Sequence, residues 1–324
     1  MDNASKKTIN IAFLVLCHDE EELLGRLSKF LLYGEDKVFV HVDRKVDINK
    51  FKNAVVGLKN VCFTENRFDV YWGGFNSVKA TMELIKTALN DNVYFDRFVL
   101  LQGRDYPLHS PEYMHNFFLS RRNEEFCKGS NVTKSKNPQD YMKCCGWWNR
   151  DRTTNFFSKI ANKFFAFLNT KVCIKYRRGY FKTRTLKWDV FKGWAQISLT
   201  RECALFVLNT YEKMPRYNKF MKHRFPPDEI YIHTIIYNSR FRERISSFYL
   251  IPKANASWFD SALNLTYFEY PSKVVIFKDL SEYDELLKTK ALFIRKVSSK
   301  DSRLLLDEID YRTSIRNANS TSFL

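Results

Sequence analysis

The strongest constraint on this chain is the exchange of two hydrophobic periods over its first hundred residues. Residues 9–16 (INIAFLVL) are an almost unbroken apolar run, the pattern of a strand buried on both faces. Asp19 follows, placed to cap a helix with acidic residues in its first turn, and the helical pattern runs to about Tyr33. Residues 37–42 (KVFVHV) read as a second strand and 61–63 as a short third. Residues 75–89 read as an amphipathic helix with Val78, Met82, Ile85 and Leu89 on one face. Residues 98–101 (FVLL) form another buried strand that ends at Gln102-Gly-Arg-Asp. Strands and helices alternating over short connections predict an α/β fold with a doubly wound, mostly parallel sheet. Ligands of such sheets sit beyond the C-terminal strand ends, which here are Cys17-His18, Asp43 and Asp105.

The last third returns to regular patterns. Residues 197–210 read as a strand passing into a helix, and Pro227-Asp-Glu opens a helix to about Asn238. A strand pair is expected near Phe248 and Val274, a short helix at 281–289 and a strand from Ala291; the polar tail from Arg312 is expected to fray. The 324 residues suit one large domain or two merged halves, and 45% apolar residues suffice for a core and exclude wholesale disorder.

The net charge of +17 asks for an anionic partner: nucleic acid, an anionic membrane surface or a phosphate-bearing substrate. The charge is concentrated. Residues 143–192 hold 13 Lys/Arg against 2 Asp/Glu, interleaved with Trp147, Trp148, Phe156, Phe157, Phe164, Phe165 and Phe167. Within them, residues 155–168 fit an amphipathic helix that lies on a membrane or meets an acceptor, and equally a core helix with a solvated basic face. No sequence pattern of a nucleic-acid-binding module is present, so nucleic acid is not expected as a partner. The chain opens without a basic end and apolar core of the secretory kind, and its seven cysteines include no Cys-x-x-Cys pair. Reduced thiols and a cytoplasmic location follow as expectations.

Four polar segments stand at the ends of buried elements. Asp43, in His41-Val-Asp43-Arg-Lys, can accept hydrogen bonds from a nucleoside or simply end a strand. In residues 67–76 (RFDVYWGGFN), two glycines precede a helix N-terminus that favours anions, and Trp72 can stack on a base or sugar or pack in a tight turn. Asp228 and Glu229 follow a proline pair where any helix start welcomes acids, and a carboxylate held there also suits a general base. Lys273, Arg295 and Lys296 are cations able to neutralise a departing diphosphate. No phosphate-cradling glycine loop, zinc spacing or Asp-x-Asp pair occurs, so no metal ligand is assigned.

Taken in order, seven segments resemble the core-2/I-branching β-1,6-N-acetylglucosaminyltransferase family, which also holds the peptide O-xylosyltransferases. They are INIAFLVLCHDEEELLGRL, VFVHVDRK, VYWGGFNSVKATMELIKTAL, FVLLQGRDYPLHS, ISLTRECALFVL, FPPDEIYIHTIIYNS and ALFIRKV, spanning about residues 9–310. The resemblance implies a GT-A type fold with a Rossmann-like N-terminal half, a UDP-sugar donor, inversion at the anomeric carbon and no required metal or other cofactor. The expected layout is one domain over 1–324: a nucleotide-sugar-binding half (about 9–125), a basic aromatic insertion facing acceptor or membrane (about 126–192) and a catalytic and acceptor half (about 193–310).

By the same resemblance Glu229 is the base, while Lys296 with Arg295, and Lys273 before them, grip the diphosphate. Asp43 contacts the uridine, Val15, Cys17 and His18 flank the uracil, and Arg67, Trp72 and Asp105 line the donor pocket. Asp228, Trp194 and Gln196 fall to the acceptor and sugar pocket, although Lys192-Gly-Trp194-Ala-Gln196-Ile departs from the family's usual stretch there. The resemblance is to the soluble bacterial members, whose acceptor is a glycan or lipid-linked glycan. N-acetylglucosamine in β-1,6 linkage is the first expectation for the transferred sugar, with xylose or another hexose behind it. An anionic membrane face is the expected site of peripheral contact.

Overall fold

An apolar run without alternation has to be covered on both sides, and the first strand is. In β1 (Ile11–Cys17) every residue but Leu16 is buried. Ile11, Phe13, Val15 and Cys17 enter one hydrophobic cluster, while Ala12 and Leu14 enter another on the opposite face. The computed structural model describes residues 8–136, 179–247, 258–269, 273–278 and 280–321, with the single positions 160, 164 and 167 between the first two stretches.

After β1 come α1 (Glu21–Leu31), β2 (Lys37–Val42), α2 (Ile48–Ala54), β3 (Val61–Phe63), α3 (Asn76–Leu89) and β4 (Arg97–Gln102). Leu23, Leu24, Leu27 and Leu31 are the buried stripe of α1, and each leucine withdrawn from water contributes about 1.5–3 kcal/mol before chain entropy is set against it. The chain continues through β5 (Asp105–Pro107), α4 (Pro111–Leu119), β6 (Gly129–Asn131), β7 (Tyr180–Lys182), β8 (Lys187–Asp189), β9 (Phe191–Gly193) and β10 (Ser198–Thr200). It closes with α5 (Arg201–Lys213), α6 (Pro215–Met221), α7 (Pro227–Tyr237), β11 (Trp258–Asp260), β12 (Asn264–Glu269), β13 (Lys273–Val274), α8 (Tyr283–Lys288), β14 (Phe293–Arg295) and α9 (Arg303–Thr321).

The first sheet has the order β10-β4-β1-β2-β3. It is parallel throughout except where β10 runs antiparallel to β4. The second sheet is β11-β12-β14-β5, with β13 added to β12. This mixed, parallel-rich α/β architecture is that of a GT-A-like fold. The chain leaves β1 toward β2 on one side and returns as β4 on the other, so the strand order reverses beside β1, where a crevice opens in folds of this kind. Gly103 carries the chain from the first sheet to the second across the end of β1. A Cβ there would stand 2.7 Å from the Cβ of Cys17, so no larger residue fits without displacing the strand end.

Three expectations need correction. Asp19 does not cap α1: the N-cap is Glu20, in the left-handed region at φ 59° with no side-chain capping bond. Asp19 is drawn away to Arg104, 2.6 Å off. Beyond Arg312 the chain is not irregular: α9 continues as helix to Thr321, and its Leu305, Leu306, Ile309 and Thr313 are buried. It is fastened to α1 by Arg26, 2.8 Å from both Asp307 and Asp310. The strand partner of Val274 is β12, and Phe248 lies outside the described residues. So does nearly all of the 155–168 stretch, of which only positions 160, 164 and 167 are described. Among the described residues no helix is long and apolar enough to cross a membrane, and Cys17, Cys62, Cys127 and Cys203 are free thiols.

Candidate active site

A cleft of about 570 Å³ opens at the C-terminal ends of β1, β2 and β4, within the range of a nucleotide-sized ligand. Of the residues singled out in the sequence, Cys17, His18, Asp43, Trp72, Asp228, Arg295 and Lys296 line it. Segments more than two hundred residues apart therefore share one wall.

Asp43 is 5% exposed, and its carboxylate accepts from Lys45 Nζ at 2.5 Å and from the Lys45 amide at 3.0 Å. Lys45 in turn lies 4.4 Å above the Tyr71 ring and donates to the Val70 carbonyl. This ties the Tyr71-Trp72 loop to the end of β2. Trp72 is 77% exposed and meets Phe225 edge-on at 4.9 Å. Burial pushes the Cys17 thiol far up, so it is an apolar wall group and not a nucleophile.

Three predicted residues stand behind this wall. Val15 is fully buried within β1. Arg67 gives its guanidinium to the carbonyls of Val42, Asp43 and Val46, at 2.9, 2.7 and 2.6 Å, and so holds the end of β2 in shape. Asp105 is 0% exposed. It accepts from the Gln102 amide at 2.8 Å and from Arg295 Nη1 at 2.9 Å. Burial, opposed by Arg295, holds its carboxyl above the usual range. Asp105 supports Arg295, and Arg295 lines the cleft.

The cationic wall has a further member, Arg104, that no sequence motif singles out. Arg104 lines the cleft beside Lys296, and its carbonyl accepts from the Val297 amide at 3.0 Å. Its guanidinium is held by Asp19 and stands 3.5 Å from Glu20. Glu20 also accepts from Ser299, which fixes the loop that follows Lys296. Burial first, then Arg104 and Arg295, lower the proton affinity of Lys296. Crowded cations of this kind are ready to receive an anion. Lys273 belongs to β13, next to Val274, which lines the cleft. The position of Arg104 beside Asp105 was visible in the sequence, but its approach to residues 85 positions earlier was not.

The acids of α7 divide between two faces. Asp228, Tyr231 and Ile232 line the cleft, and Asp228 Oδ1 has no hydrogen-bond partner among the described residues. Burial pushes the Asp228 carboxyl up. Glu229 is not among the lining residues. Its side chain is 27% exposed and its Oε2 lies 3.4 Å from Lys192 Nζ. Burial and then the Asp228 carboxylate raise its pKa to about 7, against the pull of Lys192. A carboxylate balanced near neutrality is suited to take a proton from a hydroxyl. On the connection from β9 to β10, Ala195 lines the cleft, Trp194 is half-buried, and Gln196 is buried with its Oε1 unpartnered among the described residues.

A family model described as Core-2/I-Branching enzyme matches residues 11–259 of the chain. Among curated proteins, the pig "Probable beta-1,3-galactosyl-O-glycosyl-glycoprotein beta-1,6-N-acetylglucosaminyltransferase 7" is 24% identical over 127 residues, which are 38% of this chain and 29% of that protein. The Drosophila melanogaster "Xylosyltransferase oxt" is 25% identical over 126 residues, 38% of this chain and 14% of that protein. The match thus spans less than a third of the length of either relative.

Proposed function

The chain belongs to the core-2/I-branching enzyme family and is a glycosyltransferase, and on that premise we propose that it moves a sugar from a UDP-sugar to a hydroxyl of a glycan or glycolipid acceptor, with inversion and without a metal. Glu229 takes the acceptor proton as the hydroxyl oxygen attacks the anomeric carbon. The bond from that carbon to the diphosphate breaks on the opposite face, and its electron pair leaves with UDP. Arg295 and Lys296, with Lys273 and Arg104, meet the charge that a divalent cation meets in other transferases. The cleft wall of Cys17, His18 and Asp43 receives the nucleoside, and Asp228 with the Trp194–Gln196 connection serves the sugar and acceptor.

The observation that carries this reading is the pairing of a carboxylate balanced near neutral pH with a cationic wall at the adjoining cleft. N-acetylglucosamine in β-1,6 linkage is the first donor and linkage to test, because one relative bears that activity in its name; xylose is the second, from the other relative. A UDP-sugar panel in a thermal-shift assay, with and without EDTA, is the direct test, since a ligand of the folded state must stabilise it. Stabilisation by UDP, strongest with one UDP-sugar and indifferent to EDTA, is expected. A shift abolished by EDTA would overturn the metal-free mechanism. Lys296→Ala is expected to weaken UDP binding about tenfold or more, as loss of a charge-assisted contact does, and an unchanged UDP response would remove Lys296 from the diphosphate site.

The 13 Lys/Arg of residues 143–192 favour an acceptor at an anionic membrane on the cytoplasmic face. Adhesion to vesicles containing phosphatidylserine is expected to fall steeply between low and high salt, and adhesion unaffected by salt, or none, would end that part of the reading.

A further inference from the structure

Beside its cleft-lining residues, α7 carries Glu229, His233 and Tyr237, one helical turn apart. The two-stranded antiparallel β6–β9 ladder lies on this helix. Gly129 and Gly193 are directly opposed in that ladder, and the contact is too close for side chains. A Cβ at Gly193 would stand 2.1 Å from the Lys128 carbonyl oxygen and 2.3 Å from His233 Nε2. Two hydrogen-bonded anchors fix the register. Tyr237 Oη accepts from the Gly129 amide at 2.9 Å and donates to its carbonyl at 3.0 Å. Thr234 Oγ1 accepts from the Phe191 amide at 3.0 Å. Between Phe191 and Gly193 stands Lys192, with its ammonium 3.4 Å from Glu229 Oε2 and its side chain 32% exposed.

We infer that Lys192 is the positioning residue of the base: clamped to α7 through its own strand, it holds the Glu229 carboxylate in one orientation and favours the ionised form that takes the proton of an acceptor hydroxyl. Among the described residues, two charged groups act on Glu229. Asp228, on the same helix, opposes ionisation, and Lys192 favours it; Arg295 acts on Asp228 from β14. His233, buried one turn on, is held neutral by its burial, with its pKa down at about 4. Lys192 is thus the counterweight to burial and to Asp228. When Glu229 accepts the hydroxyl proton the ion pair is dissolved, and it re-forms as the proton departs to solvent. The arrangement exchanges some intrinsic basicity for a larger fraction of ready base at neutral pH. A loose, half-exposed amine would not perform this, because an exposed pair is worth little. The glycine-mediated contact removes that looseness.

The inference rests on Glu229 as the base, and its test reads the carboxyl directly. The full chain is labelled with carbon-13 at the glutamate carboxyl and titrated by NMR, the Glu229 signal being the one that Glu229→Gln removes. Lys192→Met is expected to raise the midpoint by about one pH unit, which means about tenfold less ionised base on the acid side. Lys192→Arg is expected to stay near the native midpoint. An unmoved midpoint in Lys192→Met would overturn the inference, and so would an equal shift in both variants, since packing and not charge would then be responsible. Retained transfer by Glu229→Gln would instead overturn the base assignment beneath it, whatever the titration shows.

Discussion

Glu229→Gln is expected to lower transfer by about 10²–10⁴-fold, the range lost with a general base, and at the same time to make the protein more stable at pH 8. The second effect follows from the sign of the pKa shift. Folding raises the Glu229 carboxyl to about 7, so between its unfolded value and pH 7 the native state binds a proton that the unfolded state has released. Stability from this group is therefore fully present below about pH 4 and is lost as pH rises through 7. Above that, the folded chain carries an ionised carboxylate in a place that disfavours it, at a cost of about 3 kcal/mol. Glutamine has the same shape and never ionises. Its advantage over the native protein should be small at pH 4.5 and full at pH 8, read from denaturant midpoints with unchanged slopes. A gap independent of pH would mean that Glu229 is not buried against its charge, and undiminished transfer would mean that it is not the base. Both effects together would mark a site whose instability is part of its chemistry.

Elements whose character is written in a local period were legible. β1, β2, β3, α3 and α7 fall within a residue or two of their expected bounds, because a buried strand or a one-sided helix must show its period in consecutive residues. What failed depended on partners far away. Asp19 has every local qualification for a helix cap, yet Arg104, 85 residues on, holds its carboxylate. The tail beyond Arg312 is polar, yet Arg26 fastens the start of its helix. The same division runs through the site. Asp43 was legible because strand ends of a doubly wound sheet converge, whereas Arg295 and Lys296, at the end of β14 in the second sheet, were legible through the resemblance of their segment to the family. Lys192 reads in the sequence as one cation in a basic stretch, and only the seating of the β6–β9 ladder on α7 sets it apart. Asp105 shows the opposite error: an acid at a strand end has the look of a ligand contact, but it is wholly buried and serves the arginine that faces the cleft.

That relation between Asp105 and Arg295 makes the stability of the fold and the affinity for the donor separable. Arg295→Met removes the partner of a carboxylate with no exposure to water. Breaking a buried pair from one side costs about 3–5 kcal/mol, because the remaining charge is stranded. The loss should shrink at acid pH, where Asp105 can take up a proton and become neutral; its carboxyl already lies above the usual range in the intact protein. The double variant Asp105→Asn, Arg295→Met removes both charges while leaving an oxygen to accept from the Gln102 amide, and it should recover most of the stability. It should not recover UDP binding, because the cation facing the cleft is gone. Denaturant unfolding of the two variants, paired with UDP thermal shifts, separates the contributions. If the double variant were as unstable as the single, a stranded charge would not be the cause. If it bound UDP as the native chain does, Arg295 would have no part in holding the diphosphate, and the cations lining the cleft beside it would reduce to Arg104 and Lys296.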